Sequence, residues 1–402
     1  MKILVVGGAG YIGSHMIKRF QDTDYEIDIL DNLSTGFELN AQNYKLHICD
    51  LSDKDHVHQI LKENKYEAVM HFASYINVGE SYSNPNKYYE NNVTNTLNLL
   101  DSMVDLKILN FIFSSSAAVY GEPQSNPITE DQMISPVSPY GNTKAIVEKI
   151  LKDYDKAHAL KYVSLRYFNA CGAHTDGSIG ERHNPETHLI PLILQVASGR
   201  REIFSIYGED YDTKDGTCIR DYVHVMDLAE AHLLSLEDLI QNQKSDIYNI
   251  GNNLGFSVKE IINIAETITH QKIPYEILAR RKGDPTQLIA DNTKIIEKLS
   301  WSANYSDLNT IIMTAWEWEK QLYKYQKVGE ETIETPLGPI ETIVLSRKRD
   351  SKNRHTTLWF AKNWTYFLVK SEQIENNDSY YMLIQNAVIN GKQMIAKNLG
   401  DK

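Results

Sequence analysis

The sequence predicts an α/β protein: a Rossmann-type doubly wound parallel sheet, a smaller C-terminal substrate lobe and a small β-rich appendage. Three observations predict it. Short apolar runs alternate with helical patterns through the first two-thirds of the chain, as strands joined by crossover helices do. The first run ends in Gly7-Gly8-Ala9-Gly10-Tyr11-Ile12-Gly13, a glycine-rich corner between strand and helix. From about residue 328 the composition turns to Thr, Ile, Val and aromatics, which favours strands.

Each element follows from its pattern. Residues 2–6 are an apolar strand, and a helix follows over about 11–21. Ile27 to Leu30 reads as a second strand, an extended stretch precedes Asp50, and Ala68 to Phe72 reads as another strand. A helix runs through Leu97, Leu99 and Leu100 into the strand Phe111-Ile112-Phe113. The helix carrying Tyr140 leads into the strand Tyr162 to Arg166. After about residue 175, loop-rich stretches (174–187 and 208–220) alternate with short helices, ending in an amphipathic helix around Trp316 and Trp318. Three parts are expected: 1–175 for the dinucleotide, with later segments returning to it, 176–328 for the substrate, and 331–402 as the appendage. In the appendage, Thr335 to Pro339 reads as a turn. Ile340–Leu345, Thr356–Phe360, Thr365–Val369 and Tyr380–Ile384 read as strands, with Ser351 to Arg354 as a hairpin connection.

Composition narrows the function. The chain has 402 residues, 42% of them hydrophobic, enough for sizeable cores. A net charge of -12 argues against nucleic acid, which needs a basic stripe. Cys49, Cys171 and Cys218 are scattered and odd in number, so neither a disulfide framework nor zinc spacing is expected, and a reducing cytoplasm fits. The apolar start is too short for a signal peptide, and no segment approaches the ~20 apolar residues of a membrane span.

The glycine corner is suited to pyrophosphate, because glycine allows close backbone approach and the helix N-terminus offers amide donors. Asp31 ends the second strand, 18 residues past Gly13. A carboxylate there accepts from ribose hydroxyls and repels a 2′-phosphate, so NAD is expected rather than NADP. Asp50 and Leu51 are placed to flank the adenine, with a helix N-cap as the plainer role for Asp50. Phe72 and Ala73 lie near the expected pyrophosphate. Asn91 sits in a helical run, where a buried amide must find cofactor or backbone partners.

Tyr140 and Lys144 stand four apart, one helical turn. An ammonium beside a phenol favours phenolate and is expected to lower its pKa, letting it exchange a proton with an alcohol. His188, with His183 nearby, raises the question of a metal. Two histidines five apart share a helix face poorly, so a core or substrate role is expected and no metal. His15, His71 and His224 are read as structural.

Together, the glycine corner, Tyr140-x-x-x-Lys144 and the run Phe111-Ile112-Phe113-Ser114-Ser115-Ser116-Ala117-Ala118-Val119-Tyr120-Gly121 resemble the extended short-chain dehydrogenase/reductase superfamily. Further runs, Arg166 to Asn169, Gly216 to Val225 and Arg280 to Asp284, are similar to the UDP-glucose 4-epimerase branch, and the likeness extends over residues 1 to about 325. The resemblance implies NAD-dependent epimerisation at C4 of a UDP-hexose through a transient 4-keto sugar. It implies Tyr140 as the proton acceptor, Ser116 as a short donor to the reacting oxygen, and Lys144 on the nicotinamide ribose. The cofactor set then comprises Gly7, Gly10, Tyr11, Ile12, Gly13, Asp31, Asn32, Ser34, Thr35, Gly36, Asp50, Leu51, Phe72, Ala73, Asn91 and Phe168. Asn169, His188, Leu189, Tyr207, Arg220, Arg281, Asp284 and Leu288 line the nucleotide-sugar site, the two arginines as diphosphate clamps and Asp284 on a uridine ribose hydroxyl. Arg220 paired with Asp221 is the structural alternative. A homodimer through helices near 86–105 and 140–157 is implied as well.

Two departures stand out. Ile76 occupies a place where relatives often carry a lysine to the pyrophosphate. Leu288 stands where some have a tyrosine, which leaves room for an N-acetyl group and so for UDP-GlcNAc. A 4,6-dehydratase is disfavoured, because Ala117 and Ala118 replace its Asp-Glu pair. A UDP-glucuronate 4-epimerase and a non-catalytic NAD-sensing scaffold remain as alternatives.

Overall fold

Successive residues of a strand face opposite sides of a sheet. In the first strand Ile3, Leu4, Val5 and Val6 are all fully buried, so the sheet must be covered on both faces. The computed structural model describes residues 1–41, 43–281, 284–322, 326–349, 354–364, 366–375, 378–389 and 392–393. In chain order it runs β1 (Lys2–Val6), α1 (Tyr11–Phe20), β2 (Glu26–Asp31), β3 (Lys45–Ile48), α2 (Lys54–Asn64), β4 (Ala68–His71), α3 (Val78–Ser83) and α4 (Pro85–Tyr89). A π-helical turn (Glu90–Thr94) leads into α5 (Asn95–Asp105), β5 (Asn110–Ser114), a 3-10 turn (Ala117–Val119), α6 (Pro139–His158) and β6 (Lys161–Tyr167). Then come β7 (Asn169–Cys171), α7 (Leu189–Ala197), β8 (Phe204–Tyr207), β9 (Ile219–His224), α8 (Val225–Asn242), β10 (Asp246–Ile250), β11 (Gly255–Ser257), α9 (Val258–Thr269), β12 (Tyr275–Leu278), β13 (Gln287–Leu288), α10 (Thr293–Leu299) and α11 (Leu308–Leu322).

Seven parallel strands form the main sheet in the order β10-β6-β5-β4-β1-β2-β3. Ile3 and Val5 pack with Met16 and Phe20 of α1 and Leu228 and Leu236 of α8. Leu4 and Val6 point the other way, onto Val57 and Leu61 of α2, Leu99 and Met103 of α5, and Val147 and Leu151 of α6. The order reverses beside β1, so its carboxyl end, where Gly7 begins the corner, lies at a topological switch point. A smaller sheet joins β11, β9, β13 and β7, and β8 pairs with β12.

The chain divides into two compact units, Met1–Ile193 with Ser205–Trp318, and Leu194–Phe204 with Glu319–Lys402. In the second unit, β14 (Gln326–Thr335), β15 (Gly338–Arg349), β16 (Arg354–Ala361), β17 (Phe367–Glu375) and β18 (Asp378–Leu383) form an antiparallel meander, followed by the short strands β19 (Val388–Ile389) and β20 (Lys392–Gln393). Ile333, Ile340, Val344, Trp359 and Val369 make its core. Thr335 pairs with Gly338, so Pro336-Leu337 is the expected turn. Arg349 pairs with Arg354, and the residues between them, including most of the expected hairpin connection, lie outside the described residues. The strand β14 was not expected. It is an edge strand carrying Glu330, Glu331 and Glu334, so its alternation is mostly polar. Among the described residues no helix is long and apolar enough to cross a membrane.

Candidate active site

Gly7 leaves β1 with φ +78, and a Cβ there would lie 2.5 Å from the Ala73 nitrogen, so only glycine fits. A Cβ at Gly13 would lie 2.3 Å from the Gly7 oxygen, which lets α1 sit hard against the turn. Gly10 is the N-cap of α1 and no side chain caps it, so the first amides face outward for an anion. Ile12 packs against the core, and Phe72 lies with its ring 4.9 Å from His232. Tyr11 turns its phenol away, donating to the Gly172 oxygen at 2.7 Å, so its contribution to a cofactor is its backbone.

Asp31 is buried at the end of β2. It accepts from Ala9 N at 2.9 Å and Leu33 N at 2.8 Å, one bond on each oxygen. Burial raises its pKa, and those two amides pull it partly back. Asn32 donates to Asp50 at 2.6 Å and accepts from Ser34 N at 3.0 Å. Ser34 and Thr35 are exposed, and Gly36 approaches Ala9 closely. Asp50 is not an N-cap: it accepts from Ser52 N, and Asp53 caps α2 through His56 N at 3.1 Å. Leu51 is core. Asn91 is half-buried and donates to Asn92. The fully buried amide is Asn92, bonded to both backbone groups of Tyr75 and to Thr143 Oγ1.

Ser138 caps α6 through Gly141 N at 3.1 Å, and Pro139 begins it, which sets Tyr140 and Lys144 on the first two turns. Both are buried, with Lys144 Nζ 5.9 Å from the Tyr140 ring centroid. The ammonium donates to Ser74 Oγ at 2.8 Å and the Ser114 oxygen at 2.7 Å. The expected lowering of the phenol is corrected in the chain alone. Burial raises Tyr140, and only the Ser116 hydroxyl beside it pulls the other way. Burial likewise pushes Lys144 down to about 7, with Glu148 opposing. Both charges are desolvated, and the ammonium spends its donors on serine and backbone. Ser116 starts the 3-10 turn and accepts from Ala118 N.

Phe168 and Leu288 share one apolar cluster with Ala117, Tyr120 and Ala145, so the structure brings the expected nicotinamide and sugar-side residues together. Asn169 donates to the Asp221 oxygen at 2.8 Å. Arg220 pairs with Asp284, not with Asp221, since neighbouring strand residues face opposite ways. Asp221 instead accepts from the amides of Asn252, Asn253 and Ala290, and burial raises it to about 7. Asp284, expected on a ribose, is therefore already ion-paired and also accepts from Tyr211. Arg281 stacks on Tyr207, its guanidinium carbon 3.8 Å from the ring centroid. Leu189 opens α7, and His188 just before it bonds Glu181 through Nδ1.

The spacing argument against a metal assumed a helix, but residues 180–188 form no helix, and a loop has no fixed face. There the ligating atoms of Glu181, His183, Glu186 and His188 all lie within 4.8 Å of one another. Burial opposes charge on His183, yet the two carboxylates raise it to about 10, while the histidines hold the buried Glu181 at about 2.

Sequence reasoning missed the support beneath the pair. Glu148 accepts from Ser115 at 2.6 Å and from Arg166 through two nitrogens, at 2.9 and 2.6 Å. Arg166 also donates to Tyr120 at 2.8 Å. The signal was available, because Tyr140, Lys144 and Glu148 repeat at intervals of four. His15, His71 and His224 are buried, as a structural role requires.

Residues 3–251 match the model of the NAD dependent epimerase/dehydratase family. The chain is 48% identical over 321 residues to a UDP-glucose 4-epimerase from Lactobacillus helveticus, covering 80% of this chain and 97% of that protein. It is similar to the crystal structure of UDP-glucose 4-epimerase from Brucella ovis in complex with NAD (TM-score 0.77, 46% identity, 78% of this chain and 97% of that one). It is also similar to the UDP-Glc/GlcNAc 4-epimerase of Campylobacter jejuni (TM-score 0.71, 44% identity, 80% and 99%).

Proposed function

Because the chain belongs to the NAD dependent epimerase/dehydratase family, we propose that it inverts carbon 4 of a UDP-hexose, interconverting UDP-glucose and UDP-galactose. The observation that carries this is Tyr140 and Lys144 buried one turn apart, with Ser116 beside the phenol. The relatives favour this reading over a UDP-glucuronate 4-epimerase or a non-catalytic NAD-sensing scaffold.

The residues fit NAD. Gly7 leaves no room for a side chain, α1 has an uncapped N-terminus, and each oxygen of Asp31 has a lone pair to spare for a ribose hydroxyl. When bound, NAD supplies the hydride acceptor, and then donor, for carbon 4. The chain's own residues handle the proton. Tyr140 takes it from the 4-hydroxyl as the carbonyl forms and returns it as the opposite alcohol forms. Ser116 hydrogen-bonds the reacting oxygen, and Lys144 keeps a positive charge near the developing alkoxide. Arg220 and Arg281 hold the diphosphate, and Asp284 keeps Arg220 aimed. Residues 1–175 would hold the dinucleotide and 176–328 the sugar nucleotide. A homodimer through the stretches near 86–105 and 140–157, working in the cytoplasm, completes the reading.

Turnover of UDP-galactose by the wild type and Tyr140→Phe tests the proposal. The variant should lose roughly 10²–10⁴-fold in kcat, and equal rates would favour the scaffold. Leu288 packs against the Phe168 cluster and is smaller than a tyrosine there would be, so UDP-GlcNAc is proposed as a second substrate. Both sugars should turn over, with Leu288→Tyr losing the N-acetyl activity selectively. No wild-type turnover of UDP-GlcNAc sinks this extension.

A further inference from the structure

We propose that Glu181, His183, Glu186 and His188 form a binding site for a divalent transition metal of the zinc class, separate from the catalytic pair. Their donor atoms are two imidazole Nδ1 and two carboxylate oxygens, the set that zinc takes. Zinc bonds of about 2.0–2.1 Å in a tetrahedron place neighbouring ligand atoms about 3.3–3.4 Å apart. Two edges of the cluster are near that length, His183 Nδ1 being 3.4 Å from Glu181 Oε1 and 3.5 Å from Glu186 Oε1, and a third is longer, with His188 Nδ1 3.9 Å from Glu186 Oε1. A further edge, His188 to Glu181, is a closer hydrogen-bonded contact and would have to lengthen to admit a metal.

The plain alternative is two imidazolium–carboxylate pairs. It fits His183 less well, for its buried Nδ1 lies 3.4 and 3.5 Å from two carboxylates and meets hydrogen-bond geometry with neither. A nitrogen sitting beyond good hydrogen-bond length from two oxygens, and nearly as far from one as from the other, suits a shared metal better than a shared proton. Both carboxylates have side chains only 5–6% exposed, so the centre is shielded from bulk water. Four protein ligands close the coordination shell, which marks a structural site and not a catalytic one.

Its position gives it a purpose. The His183 ring stands edge-on to Tyr11, 6.4 Å between centroids, and Tyr11 begins α1 at the glycine corner. His188 directly precedes Leu189, the start of α7. A metal here would fasten the loop of residues 181–188 beside the cofactor turn, and His188 would keep Nε2 for another partner.

The test uses the full, tag-free chain. After dialysis against chelator, Co(II) is titrated in and its visible d–d absorption followed, and zinc content is measured by elemental analysis after gel filtration. One equivalent per chain with tetrahedral Co(II) bands is expected, and both signals should be lost in His183→Ala and in the milder Glu186→Gln, with far-UV circular dichroism unchanged. The proposal is overturned if the wild type retains no stoichiometric metal, or if both folded variants bind it as the wild type does. Epimerase turnover is not the readout, so the outcome is independent of the catalytic assignment.

Discussion

Tyr140 and Lys144 answer to burial more than to each other. Removing both from water raises the phenol and lowers the ammonium to about 7, which separates two groups whose proton affinities are nearly equal as free side chains. Four buried histidines show the same cause without catalysis: burial lowers His15 and His71 to about 3, and His224 and His232 to about 4. A histidine depressed in the fold stabilises fully above its unfolded value of 6.5. That contribution is lost as pH falls toward 4, because the unfolded chain takes the proton first. Asp221, raised to about 7, works in the opposite sense, so the clean measurement is a difference. His232→Asn should have a flatter dependence of Tm on pH between 6.5 and 4 than the wild type. Parallel curves would mean that His232 does not stay neutral in the fold. The catalytic pair was legible in the sequence because its spacing is one helical turn. The Arg220–Asp284 pair was not, because it joins residues 64 apart whose meeting depends on β9 and β13 lying side by side.

At the scale of elements, β1, α1, β2, β4, β5 and β6 were readable because these buried strands are mostly apolar and α1 keeps its helical stripe. The less regular pieces were not. Among the described residues of β14 only Ile333 is buried, so the strand has a single apolar anchor beside Glu330, Glu331 and Glu334. The π-helical turn at Glu90–Thr94 shifts register where Asn92 reaches Tyr75 and Thr143, so the residue expected to be buried was misplaced by one. Caps act at this scale too. Ser257 and Glu260 form a reciprocal capping box at the start of α9, a helix that carries none of the proposed site residues. Ser257→Ala should cost roughly 1–2 kcal/mol, seen as a lower urea midpoint with kcat unchanged. A fall in kcat without one would contradict a purely structural role.

For the whole molecule, the two compact units differ in how they are accounted for. Every proposed catalytic residue lies in the unit formed by Met1–Ile193 and Ser205–Trp318. The match to the Lactobacillus helveticus enzyme covers 97% of that protein with 321 residues, so an enzyme of this kind is complete without a β meander at its end. A chain ending at residue 325 should therefore keep kcat/KM for UDP-galactose within about twofold and sediment as a dimer, as the full chain should. A monomeric or inactive product would place the meander in the assembly or the site. The sheet order has a further consequence for synthesis. β6 receives its outer neighbour only from Asp246–Ile250, so the backbone donors and acceptors of that edge stay unpaired while the ribosome adds the nearly 80 residues between them. At roughly 5–20 residues per second, the nascent chain carries that open flank for several seconds before its last parallel strand arrives.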